Sequence, residues 1–146
     1  MSDSKLYFLD LQSEKCTDNR RIRTVKRDWE LCLKILKLTE SYERIPRPGI
    51  PTIEGYGEEQ VGYHCYQLED AGLLVAGNLR LLNMSWGYYP LNLTSAGHDF
   101  LEAAEAPGVW QRTFETIKEK ALPTTVDVVK AILFEVVRNS MSGSGP

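Results

Sequence analysis

The run from Arg44 to Pro51, RIPRPGIP, places three prolines and a glycine within eight residues. Proline lacks an amide donor and clashes with the preceding turn, so neither a helix nor a central strand can run through it. The chain is therefore divided there. Upstream, from Lys26, Trp29, Leu33, Leu36 and Glu40 recur at spacings of three and four, with Cys32 and Ile35 beside them. Leu31 and Leu38 widen the stripe, and the spacing predicts an amphipathic helix ending near Glu43. Downstream, TIEGY is too short for a full helix and reads as an extended segment. Residues 58–71 then show Val61, Cys65, Leu68 and Ala71 at spacings of four and three. Glu58 and Glu59 suit the positive end of a helix dipole, and Gly72 is the expected stop. LLVAG reads as a strand, YYPLNL as its returning partner, and GNLRLLNMSWG as the outer strand and tip of a hairpin.

Beyond the hairpin, Thr94 is a good N-cap for a helix carrying Phe100, Leu101 and Ala104. Pro107 suits the first turn of the next helix, with Val109, Trp110, Phe114 and Ile117 as its stripe. LPTT breaks that helix. Thr124 followed by Asp127 resembles a capping box for a last helix with Val126, Val129, Leu133, Val136 and Val137 on one side. Residues 5–11, KLYFLDL, read as a short strand. The fold class expected is mainly α with a small β-hairpin (α+β), a winged helix-turn-helix-like domain with extra C-terminal helices. The divisions are an N-terminal extension at 1–24, a winged-helix-like domain at 25–106, a helical pair at 107–139 and a disordered tail at 140–146. Trp29, Leu36, Val61, Leu68 and Leu101 are expected to face inward.

At 146 residues, 42% hydrophobic and 25% charged, the chain has the composition of one soluble domain. No apolar run approaches membrane-spanning length and no leader pattern opens the sequence. Cys16, Cys32 and Cys65 are odd in number and widely spaced, which argues against structural disulfides and for a reducing cytoplasm. Net charge is −3, unevenly spread: residues 1–27 hold seven bases and four acids, whereas residues 58–70 hold four acids and no Lys or Arg. That distribution excludes a non-specific coater of DNA but permits local phosphate binding.

Several motifs occur in a linked order: Lys26-Arg27-Asp28, Gly55-Tyr56, Tyr63-His64, the Asp70–Leu73 turn, and LTSAGHDFL from Leu93 to Leu101. Together they resemble a bacterial and phage family catalogued as domain of unknown function 2513, over about residues 25–138. The resemblance implies a winged-helix-like fold and no particular activity. Members begin near the Lys-Arg-Asp, so the first 24 residues are an addition to the family pattern. LTSAGHDFL also resembles the segment that follows the wing in many winged-helix regulators.

Three stretches are candidate contact sites. On the second helix, Gln60, Tyr63, His64 and Gln67 are residue types that read bases or reach phosphates. In RRIRTVKR, Arg20, Arg21, Arg23, Lys26 and Arg27 form the best phosphate-contacting run, joined by Arg80 in the wing. Trp86, Tyr88 and Tyr89 in the hairpin suit an unpaired base or a protein partner. Catalysis is not expected: His98-Asp99 is not a triad, no nucleophile elbow or phosphate loop occurs, and no zinc spacing exists. His98 is expected to hydrogen-bond near the base of the wing. No cofactor or metal is expected. The functional expectation is a non-enzymatic DNA-binding regulator or accessory factor. The alternative is a protein-interaction module, such as a phage-encoded inhibitor or a defence or toxin–antitoxin subunit, using the scaffold without DNA. A homodimer through the last helix would follow if its apolar stripe exceeds what the core can cover.

Overall fold

The computed structural model describes residues 26–82 and 87–143. The expected strand at 5–11 lies outside them. The elements are α1 (Trp29–Glu40), α2 (Glu58–Asp70), β1 (Leu74–Asn78), a 3₁₀ turn (Leu79–Leu82), β2 (Tyr88–Leu93), α3 (Ser95–Glu105), α4 (Val109–Glu119) and α5 (Val126–Gly143). Among the described residues the architecture is mainly helical with one two-stranded antiparallel sheet, an α+β arrangement. No helix there is long and apolar enough to cross a membrane.

α1 starts three residues later than the apolar pattern predicts, because Asp28 caps it. The Asp28 carboxylate accepts the Glu30 and Leu31 amides at 2.9 and 3.2 Å, two donors that a helix start otherwise leaves unpaired. At the far end the Ser41 amide closes on the Lys37 and Leu38 carbonyls before the prolines. Residues 52–56, TIEGY, expected to be extended, contain a turn instead, in which the Tyr56 amide donates to the Ile53 carbonyl. α2 ends as its sequence predicts. Gly72 has φ +81°, the Leu73 amide reaches back to the Leu68 carbonyl and the Gly72 amide to that of Glu69. This crossed pair satisfies the last carbonyls and turns the chain directly into β1.

The strands pair with Leu74 opposite Leu93, Val75 opposite Asn92 and Asn78 opposite Tyr88. The register shifts between Val75 and Ala76, where Pro90 brings no donor. The Glu69 carboxylate of α2 accepts the Ala76 amide at this irregularity, 3.2 Å away. Where the outer strand was expected to continue, the chain instead curls into the 3₁₀ turn, and the Leu79 amide closes on the Gly87 carbonyl.

β2 leads into α3 through Thr94, three of whose hydrogen bonds fix the junction. Its amide donates to the Leu73 carbonyl (3.2 Å) and its hydroxyl to the Gly72 carbonyl (2.6 Å). Its oxygen accepts the Gly97 amide (3.0 Å), the expected N-cap. The first turn of α3 lies so close to Leu73 that a Cβ on Gly97 would sit 1.8 Å from the Leu73 carbonyl oxygen.

Two later caps differ from expectation. Pro107 precedes α4 rather than opening it, because Gly108, with φ +76°, takes the cap position. The cap of α5 is Thr125, whose hydroxyl oxygen accepts the Val128 amide at 3.2 Å. Thr124 instead offers its carbonyl to the Trp29 indole. Helix α5 also continues to Gly143, past the start of the tail expected at 140.

The core has α1 at its centre, packed on α2, α3 and β2, while α4 and α5 pair and dock on α3. Trp29, Leu36, Val61, Leu68 and Leu101 are all buried, as their spacing predicts. Trp29 stacks with Phe100 and meets Trp110 and Phe114, joining α1, α3 and α4 in one aromatic cluster. Val129, Ile132, Leu133 and Val136 of α5 are buried within the single chain. Among the described residues, the apolar side chains of that helix left accessible to a second copy are the half-buried Val126, Val128, Phe134 and Val137 and the exposed Ala131 and Met141.

The contact at Gly97 makes a direct prediction. Gly97→Ala forces its methyl against main chain that cannot rotate away, and should cost about 1–3 kcal/mol in chemical denaturation. A loss below about 0.5 kcal/mol would show that α3 can shift away from Leu73 freely.

Candidate functional site

α2 and the hairpin share one face, built by helical spacing on one side and strand pairing on the other. Tyr63 and Tyr66, three residues apart, fall on the same side of α2, with ring centroids 6.1 Å apart. Tyr66 continues to Tyr88 of β2 at 5.0 Å. All three are half-buried, so they form an aromatic row running from helix to hairpin with part of each ring accessible. The Asn78 amide nitrogen donates to the Tyr88 hydroxyl at 3.3 Å and fixes the end of the row. Burial, with Tyr66 and Glu69 beside it, pushes the Tyr88 phenol up, while Arg80 pulls it the other way. Exposed carboxylates flank the row, with Glu58 and Glu59 at the start of α2 and Asp70 at its end.

The residues expected to read bases have different roles. His64 is fully buried: Nε2 accepts the Asp28 amide at 2.8 Å and Nδ1 lies 2.8 Å from the Gln60 carbonyl. Helical phase places it on the side of α2 facing α1, so it cannot reach a groove. Burial pushes its pKa down from 6.5. Gln60 is half-buried and turns back so that its side-chain oxygen accepts the Gly57 amide at 3.4 Å, a weak cap. Gln67 is half-buried, with its side-chain oxygen enclosed and without a hydrogen-bond partner among the described residues. Tyr63 alone of the four contributes to the accessible row.

Of the aromatics expected to hold a partner, Tyr88 belongs to the row. Tyr89 is a correction: it is 7% exposed and its ring lies over the main chain at Gly77. Strand alternation sends the two side chains to opposite faces of the hairpin, and Tyr89 is the one that is covered. Trp86 lies outside the described residues, as do Arg20, Arg21 and Arg23. Lys26 is exposed, whereas Arg27 is half-buried with its guanidinium 5.4 Å above the Trp29 ring. Arg80 is exposed at the start of the 3₁₀ turn. Tyr66 was missed by the sequence reading, although its spacing from Tyr63 is a detectable signal.

The remaining reactive groups are quiet. Cys32 and Cys65 are buried free thiols, each pushed up to about 12 mainly by burial, and a thiol held neutral is a poor nucleophile. His98, expected at the base of the hairpin, is exposed on α3 with Nδ1 4.0 Å from a Glu40 carboxylate oxygen.

Fold and face together define a small α+β protein with an aromatic, acid-flanked surface on its second helix and hairpin. The family described as "Hypothetical protein (DUF2513)" matches residues 26–123, and the chain belongs to it. The chain is also similar to an "Uncharacterized protein" of Haemophilus influenzae strain Rd, 29% identical over 119 residues. That similarity spans 81% of this chain and 100% of the relative. No solved structure matches the chain.

Surface and core tyrosines should separate on truncation. Tyr89→Ala empties a buried site and should cost about 3–5 kcal/mol, as for other large aromatics, whereas Tyr66→Ala should cost about 1 kcal/mol. Equal losses in urea unfolding would mean that the row is part of the core.

Proposed function

We propose that this chain is a non-enzymatic, winged-helix-like binding protein whose α2–hairpin face takes a basic protein partner. The order α1, α2, β1, β2, with α2 turning at Gly72 straight into the hairpin, supports the winged-helix reading. In that scaffold the second long helix and the hairpin form the usual contact face.

The choice of partner rests on charge. Residues 48–79 contain five acids and no Lys or Arg, and α2 lies wholly within them. A phosphate backbone laid on α2 would meet the exposed carboxylates of Glu58 and Glu59, and the helix itself brings no Lys or Arg to neutralise it. A cationic protein surface would instead meet a complementary potential, and its Arg side chains would find tyrosine rings to stack on. The burial of His64 removes one of the groups that base reading by α2 would need, and Gln60 is turned back to a weak cap of its own helix.

A second reading keeps DNA as the partner, held by the five bases in RRIRTVKR and by Arg80 rather than by α2. The exposed Lys26 at the start of the described chain favours it.

Fluorescence anisotropy on the full chain separates the two, with a labelled arginine-rich peptide, random duplex and single-stranded DNA titrated over salt. The peptide should bind, and Glu58→Gln with Glu59→Gln should weaken it roughly tenfold, the scale of two exposed ion pairs. Duplex binding that falls, with a flatter salt dependence, on Arg20→Ala, Arg21→Ala and Arg23→Ala would establish the second reading. Duplex binding that resists those changes but is lost on Tyr63→Ala or Gln67→Ala would return base reading to α2 and sink the proposal.

A further inference from the structure

His64 follows Tyr63 on α2 but turns to the core, away from the proposed contact face. His64 has 0% exposure, and both ring nitrogens are committed. The Gln60 carbonyl can only accept, so Nδ1, 2.8 Å from it, carries the ring hydrogen and donates. Nε2 is then a lone pair, and it accepts the Asp28 backbone amide at 2.8 Å. Asp28 is the residue that caps α1. One neutral imidazole therefore ties the first turn of α1 to the first turn of α2 across 36 positions of sequence.

We infer that His64 is a proton-operated latch: protonation at Nε2 breaks its bond to the Asp28 amide and frees the start of α1 from α2. The reason is a count of hydrogens. An amide cannot give up its hydrogen at these pH values, so a second proton on the ring sets two N–H groups end to end at 2.8 Å. No rotation relieves this, because a ring flip would turn away the Nδ1 donor that serves Gln60.

The surrounding charges do not remove the conflict. The Arg27 guanidinium opposes a positive ring. The Asp28 carboxylate favours one, but its Oδ1 is held by the Glu30 and Leu31 amides, it also bonds the Tyr56 hydroxyl, and it leaves the clash between the ring and the Asp28 main-chain amide in place. Tyr63 presents its ring to His64 edge-on at 6.2 Å, and Tyr56 feels the Asp28 charge from the loop before α2. Burial adds to the preference for the neutral form.

The sign follows. With its pKa in the closed state held below 6.5, His64 supports closure fully above that pH and progressively less as pH falls toward the lowered value. Asp28 directly follows the five-cation run, so the latch controls how the main chain leaving that run is held against the acidic helix.

The test is an NMR titration of the full ¹⁵N-labelled chain from pH 8 to 5, following the His64 ring nitrogens and the Asp28 amide, with hydrogen-exchange protection factors for Asp28, Leu68 and Leu101. At pH 8 the ring should be the Nδ1–H tautomer and the Asp28 amide protected at least tenfold over an unstructured chain. As His64 gains its proton below pH 6.5, Asp28 should lose that protection while Leu68 and Leu101 keep theirs. His64→Asn, which retains an acceptor but cannot titrate, should abolish the pH dependence at Asp28, and His98→Ala should leave it unchanged. The wild-type titration decides the matter even where His64→Asn does not fold. A His64 that titrates at its ordinary value with the Asp28 amide unmoved would overturn the latch. So would an Asp28 amide that loses protection only together with Leu68 and Leu101.

Discussion

Three hydrogen bonds at Thr94 hold the two halves of this fold in register. One side of the junction is the Gly72–Leu73 turn at the end of α2, and the other is the first turn of α3. Each bond closes a group that the local chain leaves open, namely two carbonyls after a helix end and an amide at a helix start. The hairpin hangs from this junction, because β1 begins at Leu74 and β2 ends at Leu93. Its strands can pair in only one alignment once Leu73 and Thr94 are joined. The absence of a side chain at Gly97 lets the main chains approach closely enough for that to happen.

The acidity of α2 resolves into separate local uses. Glu58 and Glu59 lie in the first turn, where the helix dipole and unpaired amides favour negative charge. Glu69 serves the sheet, offering an acceptor to the Ala76 amide where the register shifts beside a donorless proline. These uses explain why a helix could become acidic without selection for a partner. They do not lessen the consequence, because the exposed carboxylates still set the potential around Tyr63, Tyr66 and Tyr88. The same helix turns its other side to α1, where Val61, His64, Cys65 and Leu68 are buried. Face and core are thus linked through a rigid 13-residue element.

His64 is the polar exception in that core, and its two bonds show why it can be there. A buried polar group is tolerated when each donor and acceptor finds a partner. A neutral imidazole has one of each, and the Gln60 carbonyl and Asp28 amide match them. A leucine in its place would leave the Asp28 amide buried without an acceptor. The arrangement specifies where the start of α1 lies as well as contributing to stability.

Much of the fold was legible because it rests on local rules. The stripe Trp29–Leu36, the α2 stripe from Val61 to Leu68, the stop at Gly72, the Thr94 cap and both strands follow from spacing, backbone restriction and short-range hydrogen bonding, all of which neighbouring residues decide. Helix ends were less legible where two residues competed for one role: Thr125 caps α5, although Thr124 fits the motif as well. Thr124 is engaged elsewhere in the fold, its carbonyl accepting the Trp29 indole from 95 positions away. The candidate site was the least legible part. Sequence alone determined that α2 is amphipathic, acidic and rich in Tyr, His and Gln. Only the tertiary structure decided which of those residues face outward, since His64 finds its amide in α1, Tyr89 its cover at Gly77, and Tyr66 its row in β2. A side chain's chemistry belongs to its residue type, but its availability depends on which distant main-chain groups the fold brings within about 3 Å of it.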